Sequence, residues 1–502
     1  MLSISHLTPL VGLCFSSFVL NGAASAIPRT PRSNAHSRRM KVLATSLPPD
    51  NLGVVNHGLI YTTNITVGGS NFLVQLDTGS SDLWLNLNGQ DINLVATSNI
   101  PASIQYGSGG VQGNVNFADV QLGDLVIEGQ AFISATQVQD VVAGIQGIMG
   151  LGFNNISNVW FSVAQSQGVD VANSRANTAM TSLFSQRTDI PPNFDIQLGR
   201  TSAQDSVAPG VFLIGEHDED YQSVAEAPPL PVVTLEHWSV AMDGMNINGA
   251  PFKFNASSVP GVPEGKVAAQ FDTGFTFPPI PPAAIDAIYS SIPGAILVPR
   301  DNSTSWVVPC NASANVSFVF ANQEFFVHPL DLTIPTTTLV PVADGTKANR
   351  TVCINTFQYF DFGSNFGGFD LILGEAFLRN VYASFNFGDN ESGPFVQMVS
   401  TTPDLSAAYQ EFATQRAAAL AQLPPTLDLS ETDQIAQGGS LPAETEGLPA
   451  APTATQSGQP NPSQTISSVS SSKPSNGAAQ AKLPFASGVL GFAALFYTLL
   501  ML

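Results

Sequence analysis

The feature that most constrains this chain is a loop it makes twice. In Phe72-Leu73-Val74-Gln75-Leu76-Asp77-Thr78-Gly79-Ser80-Ser81-Asp82-Leu83-Trp84 an apolar strand pattern delivers one carboxylate, Asp77, into a tight turn. Gly79 permits a backbone course that a side chain would obstruct, and Thr78, Ser80 and Ser81 surround the acid with hydroxyl donors. Half a chain later, Ala269-Gln270-Phe271-Asp272-Thr273-Gly274-Phe275-Thr276 repeats the apolar-Asp-Thr-Gly core. A single Asp-Thr-Gly is as readily a turn whose Asp caps local amides. Two copies, each behind an apolar strand, imply two similar halves and one shared site.

The texture around both loops is β. Leu59 to Val67 and Phe72 to Leu76 alternate apolar and polar residues, and Gly68-Gly69-Ser70 between them reads as a hairpin turn. Gly113 to Leu122, Leu125 to Ile133 and Phe194 to Leu198 repeat the pattern, the last expected to pair with the first half. Long amphipathic helices are few, with Thr178 to Gln186 and Ala283 to Ser290 the helical segments within the two halves, so frequent strands with Gly, Asn and Pro turns predict an all-β architecture. His217 to Pro231 reads as the crossing between halves, and His237-Trp238-Ser239-Val240 restarts the order. Gly147-Ile148-Met149-Gly150-Leu151-Gly152 and Leu371-Ile372-Leu373-Gly374 are glycine-flanked apolar strands, which marks close backbone approach. No βαβ unit follows them, which argues against a nucleotide loop. Ile104-Gln105-Tyr106-Gly107-Ser108-Gly109-Gly110 is a glycine-rich hairpin tip carrying one aromatic hydroxyl, a device able to close over a ligand.

Composition narrows the partners. A chain of 502 residues with 44% apolar and 11% charged residues suits a well-packed secreted globule, and a formal net charge of −21 argues against nucleic acid. Six histidines and three cysteines supply no zinc spacing, so neither metal nor cofactor is expected. Cys14 falls in an apolar leader, leaving Cys310 and Cys353 able to close one loop in an oxidising compartment.

From about Leu59 to Val399 these motifs resemble the pepsin-family aspartic endopeptidases of the secreted fungal sort, and Leu373-Gly374-Glu375-Ala376-Phe377-Leu378-Arg379-Asn380-Val381-Tyr382 is similar to that family's C-terminal signature. The resemblance implies a bilobal pepsin-like fold with two similar β-rich lobes and a cleft between them. It implies Asp77 and Asp272 as the catalytic pair, with Thr78, Gly79, Ser80, Thr273 and Gly274 supporting them. It makes Tyr106 and Gly107 the flap, supported by Trp84, and joins Cys310 to Cys353. An apolar cleft around Tyr106, Ile148 and Phe275 would favour large hydrophobic side chains beside the scissile bond. Protein or peptide substrates, pepstatin-like inhibitors and a monomeric state follow. The departure is Phe275, where relatives carry Ser or Thr in support of the second Asp. Loss of that donor should raise the Asp272 pKa, and the alternative reading is a weak or inactive relative that binds peptides or serves as a cell-wall surface protein.

The expected organisation is a signal peptide at 1–26, a short basic propeptide-like segment at 27–41, an N-terminal β lobe at 42–231, a C-terminal β lobe at 232–402, a helix plus Ser/Thr/Pro-rich stalk at 403–476, and a GPI-attachment signal at 477–502. The helix would use Leu405, Tyr409, Phe412, Leu420 and Leu423 as its apolar face, and Asn476 is the candidate anchor residue. A tail-end membrane helix competes with the anchor. Sequons at Asn64, Asn155, Asn255, Asn302, Asn311, Asn315, Asn349 and Asn390 fit a secretory, cell-surface destination at the outer membrane leaflet or cell wall, with Asn64 the least certain because it falls in a strand.

Overall fold

The computed structural model describes residues 40–45, 60–106, 109–139, 144–200, 207–300, 303–341, 346–359, 367–389 and 391–427. The leader, the stalk, Asn476, Gly107 and the sequons at Asn302 and Asn390 lie outside these residues. The first half runs β1 (Met40–Thr45), β2 (Tyr61–Val67), β3 (Ser70–Asp77), β4 (Leu83–Leu85), β5 (Ala96–Gln105), β6 (Gly110–Leu122), β7 (Leu125–Gln139) and β8 (Gly147–Gly150). Three helices follow, α1 (Asn158–Gln167), α2 (Val169–Arg175) and α3 (Ala179–Gln186), and then β9 (Asn193–Gln197) and β10 (Val207–Ile214).

The second half begins with β11 (Leu230–Pro231), β12 (Ser239–Met242), β13 (Gly244–Ile247), β14 (Ala250–Phe252), β15 (Val267–Phe271) and β16 (Pro279–Ile280), followed by α4 (Pro282–Ser290). It continues with β17 (Ile296–Arg300), β18 (Ser303–Val308), β19 (Val316–Phe320), β20 (Gln323–Phe326), β21 (Thr333–Pro341), β22 (Lys347–Asn355), β23 (Gln358–Tyr359) and β24 (Leu371–Leu373). The short α5 (Glu375–Leu378), β25 (Val381–Asn386), β26 (Phe395–Ser400) and α6 (Leu405–Leu420) complete it.

The apolar alternation of β2 and β3 makes them a hairpin, turned by Gly68 and Gly69 at φ 55° and 90°, values that disfavour side chains. Asn64 stands on the exposed face of that hairpin. β3 then pairs in parallel with β8, and β15 pairs in parallel with β24, so the two repeated loops leave equivalent places in the two halves. The halves are stitched by a 13-stranded sheet in which β9 lies between β10 and β25. Thus Phe194-Asp195-Ile196 pairs with a strand of the second half as well as with β10.

The core crosses the same seam. Trp238, wholly buried, packs its ring 4.4 Å from that of Phe153 and 5.8 Å from that of Phe194. Its indole N–H donates to the Leu151 carbonyl at 3.1 Å, so the large apolar body is buried without orphaning its donor.

α1 and α2 escaped the sequence pattern, whereas α6 forms where a helix is expected but buries a different face. α1 is started by Ser157, which accepts from the Trp160 amide, and by buried Asp82, which accepts from the Asn158 and Val159 amides at 2.7 and 3.2 Å. α6 begins at an Asp404 cap, and its buried face is Ala408, Phe412 and Arg416; of the expected apolar residues only Phe412 is buried, Leu405, Tyr409 and Leu420 are half-buried, and Leu423 lies past the helix end. Arg416 reaches the Thr333 carbonyl at 2.8 Å and Cys353 Sγ at 3.1 Å, which ties the helix to the Cys310–Cys353 disulfide. That bond spans a sequence separation of 43 residues. Replacing both cysteines by alanine is expected to cost about 3 kcal/mol of unfolding free energy, chiefly through the denatured chain. Urea unfolding of the variant against the parent checks this, and coincident midpoints would refute it.

Candidate active site

Asp77 is the last residue of β3, and Asp272 follows directly on β15. Each backbone is braced from behind: the Leu151 amide donates to the Asp77 carbonyl at 2.8 Å, and the Asp272 amide to the Leu373 carbonyl at 3.1 Å. Glycine closes β8 and directly follows β24 because the loops press there. A Cβ on Gly150 would lie 2.5 Å from the Asp82 amide nitrogen, and one on Gly374 would lie 2.1 Å from the Phe275 carbonyl oxygen.

The two loops are locked to each other by their threonines. Thr78 Oγ1 donates to the Phe271 carbonyl at 2.9 Å and accepts from the Thr273 amide at 2.9 Å. Thr273 Oγ1 donates to the Leu76 carbonyl at 2.8 Å and accepts from the Thr78 amide at 3.0 Å. A hydroxyl both donates and accepts, so two side chains satisfy four buried backbone groups across the seam.

This lock brings the carboxylates face to face. The Gly79 amide donates to Asp77 Oδ1 at 2.9 Å, and the Gly274 amide to Asp272 Oδ1 at 2.7 Å. A Cβ on Gly79 would fall 2.1 Å from Asp272 Oδ2, and one on Gly274 would fall 2.4 Å from Asp77 Oδ1. Each glycine therefore leaves room for the carboxylate of the opposite half, and both acids are buried.

The outer oxygens are held differently. Ser80 Oγ donates to Asp77 Oδ2 at 2.5 Å, whereas Asp272 Oδ2 receives the Gln270 amide Nε2 at 3.3 Å. Tyr106, at the tip of the β5–β6 hairpin, accepts from the Trp84 indole at 2.9 Å and packs in a cluster with Trp84 and Ile148. Phe275 does not join them: its ring packs with Val259, Val262 and Phe369 in a separate cluster. Gln270, His237, Asp82 and Glu375 are site or near-site groups that sequence reasoning passed over. A polar residue two places before Asp in both repeats, Gln75 and Gln270, was the signal available for one of them.

Burial pushes the Asp77 carboxyl up, against the Ser80 and Gly79 donors that favour its charge. Asp272 is pushed well above the usual range by burial and then by the facing charge of Asp77. Glu375 is likewise pushed well up by burial, though its Oε2 lies 3.1 Å from Arg379 Nη2. Burial depresses the His237 imidazole to about 4 and drives the Tyr106 phenol well above its usual value. Among the described residues no group of three or more His, Cys, Asp or Glu side chains is placed to hold a metal ion.

The three raised carboxyls keep protons that the unfolded chain releases near pH 4. Their contribution to stability is complete below the unfolded values and is lost as pH rises through the folded ones. Asp272→Asn removes one such group, so the melting temperature of the variant is expected to fall less between about pH 4 and pH 7 than that of the parent. Scanning calorimetry across that range checks it, and parallel curves would count against it.

Known proteins resemble this chain over the same region. The family model of eukaryotic aspartyl proteases matches residues 60–395. An aspartic protease of Phaffia rhodozyma is 26% identical over 353 residues, covering 66% of this chain and 75% of its own. Pepsin A of Bos taurus is 23% identical over 396 residues, covering 75% of this chain and 94% of its own. In fold, the crystal structure of the aspartic proteinase from Irpex lacteus superposes with a TM-score of 0.51 at 18% identity, over 72% of this chain and 97% of that one. Two Asp-Thr-Gly loops locked at the seam of a two-lobed β fold, with the family match over both lobes, make this chain a member of the eukaryotic aspartyl protease family and a pepsin-like aspartic endopeptidase.

Proposed function

We propose that Asp77 and Asp272 act as one acid–base pair that hydrolyses peptide bonds in proteins under acid conditions. The observation that carries this is the reciprocal placement of each carboxylate over the glycine of the other loop, which buries two acids in mutual contact. Two such groups cannot both ionise cheaply and share a proton, the arrangement for which aspartic proteases are known. Burial and the Asp77 charge hold the proton on Asp272, while Ser80 and Gly79 favour charge on Asp77.

The chemistry follows from that division. Asp77 takes a proton from water as its oxygen attacks the peptide carbon, and Asp272 gives its proton to the carbonyl oxygen, forming a neutral tetrahedral diol. Asp77 then gives its proton to the amide nitrogen while Asp272 takes one from a hydroxyl of the diol, so the C–N bond breaks as the new carbonyl forms, amine and acid leave, and the pair again holds one proton. Tyr106, held by Trp84, would close the hairpin over an extended peptide, and the apolar wall of Trp84, Ile104 and Ile148 supports preference for large hydrophobic side chains.

The same reading sends the enzyme along the secretory route with the 1–26 leader removed, N-glycans on exposed Asn64, Asn155, Asn255, Asn311 and Asn349, and a lipid anchor through Asn476 at the end of the stalk. Among the described residues no helix is long and apolar enough to cross a membrane. Glycosidase treatment of protein from the host should lower its apparent mass and phospholipase C should release it from membranes; an unchanged mass, or retention after the lipase, would remove the corresponding assignment.

Cleavage of denatured protein between about pH 2.5 and pH 7 tests the activity. The parent is expected to work best in acid and to be blocked by pepstatin, with Asp77→Asn and Asp272→Asn each losing about 10³-fold. A peptide panel in the same assay should be cut beside large apolar residues, and cutting only beside basic ones would defeat the specificity. A folded parent that binds peptides without turnover would instead favour a binding protein.

A further inference from the structure

We propose that Gln270, oriented by His237, is the positioning residue for Asp272, taking the part that Ser80 takes for Asp77. The inference rests on the acid–base reading above. The two repeats match at the inner oxygens, where Gly79 and Gly274 donate to Asp77 and Asp272. They differ at the outer ones. Three residues after Asp77 stands Ser80, a donor; three residues after Asp272 stands Phe275, whose ring packs away among Val259, Val262 and Phe369.

The missing donor comes from the strand instead of the turn. Residues two apart on a strand share a face, which carries the Gln270 side chain alongside Asp272. Its Nε2 lies 3.3 Å from Asp272 Oδ2 and 3.3 Å from His237 Nδ1. An amide nitrogen only donates, so its two hydrogens meet two acceptors, and His237 must carry its ring proton on Nε2. The imidazole is fixed in turn by Phe369, edge-on at 5.1 Å. Phe369 belongs to the cluster against which Phe275 packs, so the ring that stands in place of a hydroxyl shares its packing with the ring that walls in the histidine. A merely structural amide fits poorly here: Gln270 is 2% exposed, its neighbours Ala269 and Phe271 are apolar, and its Oε1 has no partner, a cost an apolar residue would not bear. The titratable groups near Asp272 are Asp77, Glu375 and, through Gln270, His237.

Full-chain enzyme carrying Gln270→Leu tests this, with Gln270→Met as the isosteric second variant. The loss of one donor to a charged group should lower kcat about tenfold with KM little changed. It should also move the alkaline limb of the pH–rate profile upward, because Asp272 without its donor keeps its proton to higher pH. Ser80→Ala should move the acid limb instead. Adding Phe275→Thr to Gln270→Leu should restore most of kcat and return the alkaline limb. Unchanged kcat and pH limbs in both Gln270 variants, or a loss that Phe275→Thr does not recover, would overturn the assignment. An inactive parent, or activity surviving Asp272→Asn, would overturn the acid–base reading beneath it.

Discussion

The structure turns on two threonine hydroxyls that cross from one half of the chain to the other. Thr78 and Thr273 each donate to a carbonyl and accept from an amide of the opposite loop, so neither loop has its buried backbone satisfied alone. That reciprocity fixes the separation of Asp77 and Asp272 to the tolerance of a hydrogen bond. Everything outward serves it: β8 and β24 press on the loops from behind, and Gly150 and Gly374 allow the press.

Holding two carboxyls in one buried place is costly, and the fold spreads the cost over unequal supports. Asp77 has a serine and a backbone amide, whereas Asp272 has a backbone amide and a more distant side-chain amide. The inequality biases where the shared proton rests, which separates a base from an acid without any other group. A second layer keeps charge near the seam: Arg379 reaches Glu375, the Tyr61 hydroxyl and Asp331, and Arg200 pairs with Asp331 at 2.6 Å. These long-range bonds join β2 to the C-terminal elements, so the lobes meet through polar contacts as well as through the Trp238 cluster.

Local chemistry made several elements legible. The hairpin at Gly68-Gly69 follows from apolar alternation around glycines, and α4 starts at Pro282, a residue suited to a first helical turn. α1 was not legible because its cap is shared with Asp82, a residue far away in sequence. The buried face of α6 was misread for a related reason: Arg416 is buried because a carbonyl and a disulfide sulfur from other elements receive it. Asn64 lies in β2 and is still exposed, because a strand at the surface presents alternate residues outward.

The sequence by itself determined that two Asp-Thr-Gly turns follow apolar strands, that glycine stands where close approach is needed, and that one hydroxyl is missing at Phe275. These are short-range facts, carried by neighbours along the chain. Only the tertiary structure decided where Phe275 goes, that β9 binds both halves, and that His237 comes to Gln270 beside Asp272. Those outcomes depend on sheet register and on partners tens to hundreds of residues apart, and no local pattern encodes which buried donor will meet which acceptor.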